Sequence, residues 1–396
     1  ASAMFLAAQS GCQAAIMAPT EILAEQHFKS LSKLFAPINE RGLPHPIGVR
    51  LLTGSTPAAE RAAINTEIAD GTANVVVGTH ALIQESVEFH DLALAVIDEQ
   101  HRFGVAQRAA LRQKGRVASP HVLVMTATPI PRTLALTLYG DLDLSVIDQM
   151  PPGRQPVETR VLLPTERERA YAFIRAQIEK GRQAFIICPL VTESDKIEAK
   201  AAIEEHARLQ KHIFPQFKLG LLHGRLKPDE KEAAMRAFAH GETHILVSTS
   251  VVEVGIDVPN ATVIMIEGAE RFGLAQLHQF RGRVGRGEHP SYCLLQADTI
   301  ASEVSERLRA VEASNDGFVL AEKDLELRGP GQFFGTRQSG LPDLHLAGSL
   351  DARQIDLARR EAEKLLENDP ELSAAENRLL AQRLAEFWQG GAGDLS

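Results

Sequence analysis

The sequence has few cysteines and no long apolar run. Its 396 residues include only Cys12, Cys188 and Cys293, far apart and without Cys-x-x-Cys or Cys/His spacing. This pattern supports neither a disulfide framework nor a structural zinc site, and it favours a reducing compartment. No run approaches the length of about 18 apolar residues that a membrane helix needs, and the N-terminus lacks the layout of a signal peptide. We therefore expect a soluble, cytoplasmic protein.

The sequence also lacks an excess of positive charge. Its 42 Lys and Arg residues are outnumbered by 51 Asp and Glu residues, which gives a net charge of -9. This balance excludes a bulk polycation that coats nucleic acid indiscriminately, so any nucleic-acid site must be a local basic track. The hydrophobic fraction of 44% is that of a globular protein, and the length predicts two or three domains.

Short apolar runs recur between helix-like stretches, a rhythm typical of parallel strands buried on both faces by crossover helices. Residues 150–156 (MPPGRQP) interrupt this rhythm because proline and glycine can continue neither a helix nor a central strand. The pattern predicts two α/β domains in tandem, at residues 1–150 and 159–300, joined by a linker at 151–158. The predicted strands are 14–20, 49–55, 74–80, 92–99, 121–128, 183–190, 219–226, 243–250, 261–268 and 292–297.

The pattern becomes helical after residue 300. Residues 302–314 and 318–328 predict a helical hairpin that turns at 315–317 (NDG) and runs into the glycine-rich segment 329–331 (GPG). Two amphipathic helices, near 352–367 and 376–388, close the chain. We assign residues 301–396 to this helical region.

Two adjacent carboxylates, Asp98 and Glu99, follow the most apolar predicted strand. The carboxyl ends of the strands line the ligand crevice in open α/β sheets. One acid of such a pair can hold Mg²⁺ through its water shell while the other orients or deprotonates an attacking water. The alternative is a helix N-cap, since Asp often follows a strand.

The sharpest chemical signal is the segment 275–287 (AQLHQFRGRVGRG). If this segment is helical, Gln279, Arg283 and Arg286 form one stripe that presents two guanidinium groups to the same anion. The two glycines between and beside them each cost a helix about 1 kcal/mol, which favours a role in close approach. The alternative is a solvated basic face.

Polar residues end several other predicted strands. Thr126 and Thr128 could sense a phosphate or form a turn that satisfies its own backbone. Asp257 could contact a ribose or be a simple turn residue. Thr20 and His223 lie at strand ends, where hydroxyl and amide groups are ready contacts for the phosphates of a nucleic-acid strand.

Seven segments resemble, in order, the motifs that superfamily 2 helicases carry on two RecA-like domains. They are APTEILAEQH, GTHALI, DEQHRFGVAQR, MTATPIPRTL, LLHGRL, STSVVEVGIDVP and QFRGRVGRG. DEQHRFGVAQR, together with the downstream RGPGQFFGTRQSGLPD, is similar to the RecG family of bacterial ATP-dependent DNA helicases, which remodel branched DNA such as replication forks and Holliday junctions. The alternatives are a double-stranded DNA translocase like the transcription-repair coupling factor Mfd, in which an acid commonly replaces Gln100, a nucleic-acid-binding pseudoenzyme, and a related RNA helicase.

The resemblance implies a nucleotide site between the two domains. Asp98 would ligate Mg²⁺, and Glu99 would act as general base toward the water that attacks the γ-phosphate of ATP. Arg283 and Arg286 would be arginine fingers that reach across the cleft, with Gln279 beside them. Two further residues expected near the nucleotide are Gly255 and Asp257.

The resemblance also implies a path for DNA across both domains. Thr126 and Thr128 would couple the state of the nucleotide to DNA binding. The residues expected along the translocation track are Thr20, Thr79, His223 and Thr249. The residues expected to convert domain motion into duplex translocation are Arg328, Arg337 and Gln338.

One element of the family pattern is missing from the sequence. No Gly-Lys dipeptide occurs, so the phosphate-binding loop G-x-x-x-x-G-K-[ST] is absent. We therefore expect a fragment that lacks this loop and a preceding wedge domain, and that binds nucleotide weakly without hydrolysing it. For the parent protein the resemblance implies ATP and Mg²⁺ as cofactors, branched DNA and single-stranded-DNA-binding protein as partners, a monomeric state and a location at the bacterial nucleoid.

Overall fold

Two parallel β-sheets, each with helices packed on it, make up most of the structure. The computed structural model describes residues 1–99, 111, 114, 119–127, 143–150, 154–188, 195–253, 258–298, 302–328 and 352–390. The strands are β1 Gln13–Met17, β2 Val49–Leu52, β3 Val75–Gly78, β4 Leu92–Ile97, β5 His121–Val124, β6 Glu158–Leu162, β7 Gln183–Ile187, β8 Leu219–Leu222, β9 Ile245–Ser248, β10 Ala261–Glu267 and β11 Tyr292–Gln296. The α-helices are α1 Ser2–Gln9, α2 Glu21–Asn39, α3 Ala58–Ala69, α4 Arg167–Glu179, α5 Asp195–Arg208, α6 Pro228–Ala239, α7 Leu274–Arg281, α8 Ser302–Ala313, α9 Gly317–Arg328, α10 Ala352–Asn368 and α11 Arg378–Gly390.

The first sheet has the strand order β2-β3-β1-β4-β5, and all its strands are parallel. Its strands β1 and β3 are buried along their whole length because both faces are covered. Ile16 of β1 packs with Phe35 of α2 on one face, whereas Met17 packs in the cluster that contains Ile68 of α3 on the other. We call this sheet with α1–α3 the first α/β domain.

The second sheet is also parallel, with the order β6-β11-β10-β7-β9-β8. Helices α4 and α5 cover one of its faces, and helices α6–α9 cover the other. We call this sheet with α4–α7 the second α/β domain. Its edge strand β6 begins at Glu158, the last residue of the expected linker. The sequence pattern missed β6 because its residues alternate between exposed and buried directly after a proline-rich segment.

The two α/β domains contain the same internal hydrogen bond, and both partners of the second bond lie 170 positions after those of the first. The side-chain amide of Gln13 donates to the carbonyl of Ile68 at 2.9 Å, and that of Gln183 donates to the carbonyl of Phe238 at 2.6 Å. Each glutamine opens a buried strand and reaches the last turn of the helix that packs on its sheet. The two domains therefore share one framework.

The carboxyl ends of the strands follow the same correspondence. The Thr79 N–H donates to the carbonyl of Leu52 at 3.3 Å, and the Thr249 N–H donates to the carbonyl of Leu222 at 3.1 Å. Each bond joins the residue after one strand to the last residue of the adjacent edge strand. The strand ends at which polar side chains were expected to meet are therefore built alike in both domains.

Helices α8 and α9 lie against each other and against the second α/β domain. Lys323 of α9 is 3.2 Å from the carboxylate of Glu306 on α8, and Leu320 is buried in the core of the second domain. Asp316, expected in the turn, accepts the N–H of Phe318 at 2.8 Å and so caps the start of α9. None of the helices in the described ranges is long and apolar enough to span a membrane.

Candidate nucleotide and nucleic-acid site

Asp98 follows β4 at the carboxyl end of the first sheet. Its N–H donates to the carbonyl of Met17 at 3.0 Å, which places it beside the end of β1. One carboxylate oxygen is 2.8 Å from Nε2 of His27 on α2, and the other accepts the N–H of Glu99 at 3.0 Å. The side chain remains 17% exposed. The carboxylate is therefore held in one orientation and still reaches solvent.

Glu99 has a strained backbone. Its φ is 52°, in the left-handed region where a residue with a side chain costs about 1 to 2 kcal/mol. Its carboxylate accepts the N–H of Ala127 at 3.3 Å, across from the end of β5. Such strain is typical of functional sites, where the surrounding structure holds a side chain in place. The contact also links the acid pair to the segment that contains Thr126.

The predicted helical stripe of Gln279, Arg283 and Arg286 is wrong. Helix α7 ends at Arg281, so only Gln279 lies on it. Gly282 caps the helix, and Gly285 has a φ of 77°, a conformation that glycine adopts without penalty. The two glycines end the helix and let the chain turn, which is the physical reason that the i, i+4, i+7 spacing fails.

The two arginines after the helix have different surroundings. Arg283 is only 8% exposed, whereas Arg286 is exposed and its Nε donates to the carbonyl of Gly282 at 3.0 Å. A side chain on Gly285 would come within 2.8 Å of Val157, so glycine is required for this close approach. The arginines belong to the second domain and the acid pair to the first. That both groups share one nucleotide remains a prediction.

Three of the expected track residues are buried at the ends of strands β3, β8 and β9. Thr79, His223 and Thr249 are each less than 8% exposed. Within the described part of the chain, neither threonine hydroxyl nor Nδ1 of His223 has a hydrogen-bond partner. Burial lowers the pKa of His223, and the nearby charges of Lys231 and Arg225 lower it further. Buried polar atoms without a hydrogen-bond partner cost folding free energy, so these groups are suited to hydrogen bonding with a ligand.

Thr20 and Thr126 differ from those three residues. Thr20 caps α2, because its hydroxyl accepts the N–H of Leu23 at 3.3 Å. Thr126 is exposed, two positions after the last residue of β5. The predictions for Thr128, Gly255, Asp257, Arg337 and Gln338 lie outside the described residues. Arg328 ends α9, but its side chain is not among the described ones.

Comparison with known proteins assigns the chain to a family. The DEAD/DEAH box helicase family matches residues 1–137, and the helicase conserved C-terminal domain matches residues 167–288. The family described as ATP-dependent DNA helicase RecG, domain 3, C-terminal, matches residues 314–391. ATP-dependent DNA helicase RecG of Synechocystis is 57% identical over 94% of this chain and 44% of its own length. The chain belongs to the RecG family.

Other RecG proteins match over the same region. RecG of Bacillus subtilis is 49% identical over 96% of this chain and 55% of its own length. A solved structure of RecG bound to a three-way DNA junction matches with a TM-score of 0.69 and 48% identity, over 82% of this chain and 41% of that one. The chain spans about half the length of the RecG relatives that it matches.

Sequence reasoning missed one arginine of this RecG-family chain. Arg281 is 3% exposed, and its guanidinium donates to the carbonyls of Val311 and Ser314, both at 2.7 Å. It therefore ties the segment with Arg283 to the carboxyl end of α8, where cations are favoured. No pattern within the sequence points to this contact, because the partners are 30 or more positions away.

A half-buried histidine completes the surroundings of Arg281. Nδ1 of His278 is 2.9 Å from Nη2 of Arg281. Burial, followed by the charge of Arg281, lowers the pKa of His278 to about 4. The ring is therefore neutral at pH 7 and accepts the hydrogen bond of the guanidinium.

Proposed function

We propose that the whole protein is an ATP-dependent DNA helicase and translocase that unwinds and remodels branched DNA, such as replication forks and Holliday junctions. The observation that carries this proposal is the 48% identity to the RecG structure that is bound to a three-way DNA junction. The names of the relatives from Synechocystis and Bacillus subtilis support ATP-dependent helicase activity. The acid pair and the arginine segment supply side chains suited to phosphoryl transfer.

The first domain would hold Mg²⁺ through Asp98. Carboxylate oxygens are the hard ligands that Mg²⁺ prefers, and it usually binds through one or two of them and several waters. Within the described ranges no three His, Cys, Asp or Glu side chains are close enough together to hold a metal ion. His27 orients the Asp98 carboxylate and leaves it partly exposed.

Glu99 would accept the proton of the attacking water at a carboxylate oxygen. Bound with Mg²⁺, ATP supplies the γ-phosphate that this water attacks. Arg283 and Arg286 would neutralise the charge that develops during transfer, with Gln279 beside them and with Gly255 and Asp257 close to the nucleotide. An arginine of this kind contributes about 10³ to 10⁵ in rate, and a general base about 10² to 10⁴.

The remaining predicted residues would bind DNA or couple its movement to the nucleotide. Thr126 and Thr128 would report the state of the nucleotide. The buried polar atoms at the strand ends support a phosphate track over both domains, formed by Thr20, Thr79, His223 and Thr249. The residues proposed for duplex translocation are Arg328, Arg337 and Gln338. A monomeric state, a contact with single-stranded-DNA-binding protein and a cytoplasmic, nucleoid-associated location complete the proposal.

The substitution Glu99→Gln in the whole protein tests the role of the acid pair. Glutamine keeps the acceptor for the Ala127 N–H but cannot take a proton, so we expect junction-stimulated ATP hydrolysis to fall by a factor of about 10² to 10⁴. Glu40→Gln, at the exposed end of α2, is the matched control and should leave turnover unchanged. Near-normal hydrolysis in the Glu99 variant would refute the role of general base.

The choice of nucleic acid tests the substrate. We expect a three-way junction to stimulate hydrolysis and unwinding by the whole protein more than a linear duplex or an RNA of equal length does. Equal stimulation by linear duplex would indicate a translocase like the transcription-repair coupling factor. Stimulation by RNA alone would indicate an RNA helicase, and DNA binding without turnover a pseudoenzyme.

A further inference from the structure

Two loops that follow edge strands are held in the same way. They are residues 53–57 after β2 and residues 223–227 after β8, and we call them the paired glycine loops. Nη2 of Arg61 donates to the carbonyls of Thr53 and Gly54, at 2.7 and 3.1 Å. Nζ of Lys231 donates to the carbonyl of Gly224 at 2.6 Å. Each cation lies seven positions after the glycine of its loop, although one is an arginine and the other a lysine.

The positions of these cations are unfavourable for helix stability. Arg61 is the fourth residue of α3, and Lys231 is the fourth residue of α6. The positive end of the helix dipole disfavours a cation in the first turn. Helix stability therefore does not explain these two cations, whereas their hydrogen bonds to the loop carbonyls do.

The paired glycine loops border the buried polar atoms at the strand ends. The first loop follows Leu52, whose carbonyl accepts the N–H of Thr79. In the second, His223 belongs to the loop itself, and Thr249 bonds to the preceding residue, Leu222. Within the described ranges, the hydroxyls of both threonines and Nδ1 of His223 have no hydrogen-bond partner. A ligand with acceptor oxygens would satisfy these atoms.

We infer that Arg61 and Lys231 are paired positioning residues, which hold the two glycine loops in the shape that receives backbone phosphates of the DNA strand. Each acts through loop carbonyls, so that the loop and the adjacent buried polar side chain are held together. This inference rests on the proposed function. It predicts that the two residues act on DNA affinity alike, despite lying on different domains.

The test measures binding of a fluorescent three-way junction to the whole protein without nucleotide, at several salt concentrations. A hydrogen bond from a charged group is stronger than one between neutral groups, so Arg61→Ala and Lys231→Ala should each weaken binding by a factor of about 10 to 100. Because the proposed contact is to the protein's own carbonyl, the slope of log affinity against log salt should stay unchanged. ATP turnover at saturating DNA should remain within about twofold of the unmodified protein.

A conservative variant separates positioning from charge. Arg61→Gln keeps an N–H donor without the charge, so it should bind DNA more tightly than Arg61→Ala. Lys33→Ala and Lys180→Ala remove one exposed positive charge from each domain and serve as matched controls, with DNA affinity within about twofold of the unmodified protein. Thermal unfolding of every variant shows whether the fold is kept, and Arg61→Gln remains informative if an alanine variant unfolds.

Three results would overturn the inference. A salt slope reduced by about one in either alanine variant would mean that the cation itself contacts a phosphate. Equal binding by Arg61→Gln and Arg61→Ala would mean that charge alone matters. Unchanged affinity in both alanine variants would remove the role altogether. The binding assay needs no hydrolysis, so a failure of the proposed catalytic function, detected with Glu99→Gln, is distinguishable from a failure of this inference.

Discussion

The two α/β domains share one framework but carry different polar groups on it. Position 53 of the first domain is threonine and its counterpart in the second is His223; position 55 is serine and its counterpart is Arg225. The Ser55 hydroxyl and N–H both donate to the carboxylate of Glu21, at 2.6 and 3.0 Å, so these two donors of the first loop are paired within their own domain. The second loop instead combines a buried histidine with nearby cations. A few side chains therefore give the same backbone different electrostatic surroundings in the two domains.

The largest expected effect tests whether the second domain supplies an arginine to the nucleotide held by the acid pair of the first domain. In the whole protein, Arg286→Ala should lower junction-stimulated ATP hydrolysis by about 10³ to 10⁵, because no other group replaces its charge at the transferred phosphate. Arg309→Ala, on the exposed face of α8, is the control and should leave the rate unchanged. A rate close to normal for Arg286→Ala would mean that the second domain does not supply this arginine.

The shared framework predicts equal losses of stability in the two domains. Gln13 and Gln183 are both less than 5% exposed, and each has a side chain with two or more hydrogen bonds to the surrounding structure. Replacement by leucine leaves buried carbonyls unpaired, so each variant should lose about 2 to 3 kcal/mol of unfolding free energy in denaturant titrations. Losses that differ by more than about 1.5 kcal/mol would break the proposed equivalence.

His278 makes the stability of the second domain sensitive to acid. Its pKa is lowered to about 4 in the folded protein, against about 6.5 when unfolded, so the unfolded state binds more protons between these values. Stability is therefore full above pH 6.5 and is lost as the pH falls toward 4, by about 2 kcal/mol at pH 5. In thermal unfolding, His278→Gln should lose less stability than the unmodified protein between pH 7 and pH 5. An equal loss in both would exclude His278 as the cause.

The smallest expected effect is a difference in unfolding free energy between alanine substitutions at Gly54 and Gly224 of the paired glycine loops. A methyl group on Gly54 would meet Oε1 of Glu21 at 3.0 Å, whereas on Gly224 its nearest neighbour would be Val251 at 3.7 Å. Gly54→Ala should therefore cost up to about 1 kcal/mol, and Gly224→Ala should change the unfolding free energy by less than about 0.5 kcal/mol. A larger loss for Gly224→Ala than for Gly54→Ala would show that the Glu21 side chain moves aside more easily than Val251 does.

Most strands could be predicted because apolar runs bounded by small and polar residues are a local signal. The run before Asp98 coincides with β4 within two residues, as does the run that contains β10. Edge strand β6 could not be predicted, because its residues ETRVL form no continuous apolar run. The carboxyl-end position of the acid pair was predicted correctly for the same local reason.

The site geometry was less predictable. Arg283 and Arg286 do not share a helical face, because the helix ends at Arg281, Gly282 caps it and Gly285 turns the chain. The contact of Asp98 with His27 joins residues 71 positions apart, and no periodicity reports such a pair. Side-chain partners at this distance depend on which helix packs beside which strand.

The sequence by itself determined the fold class and the order of the helicase-like segments, since both follow from local composition and motif order. Only the tertiary structure revealed that Arg61 and Lys231 make equivalent contacts and that Arg281 is buried against α8. The physical reason is that hydrogen bonds between distant residues form after strands and helices have packed. Local sequence patterns therefore specify the helices and strands, whereas tertiary packing decides which side chains contact each other.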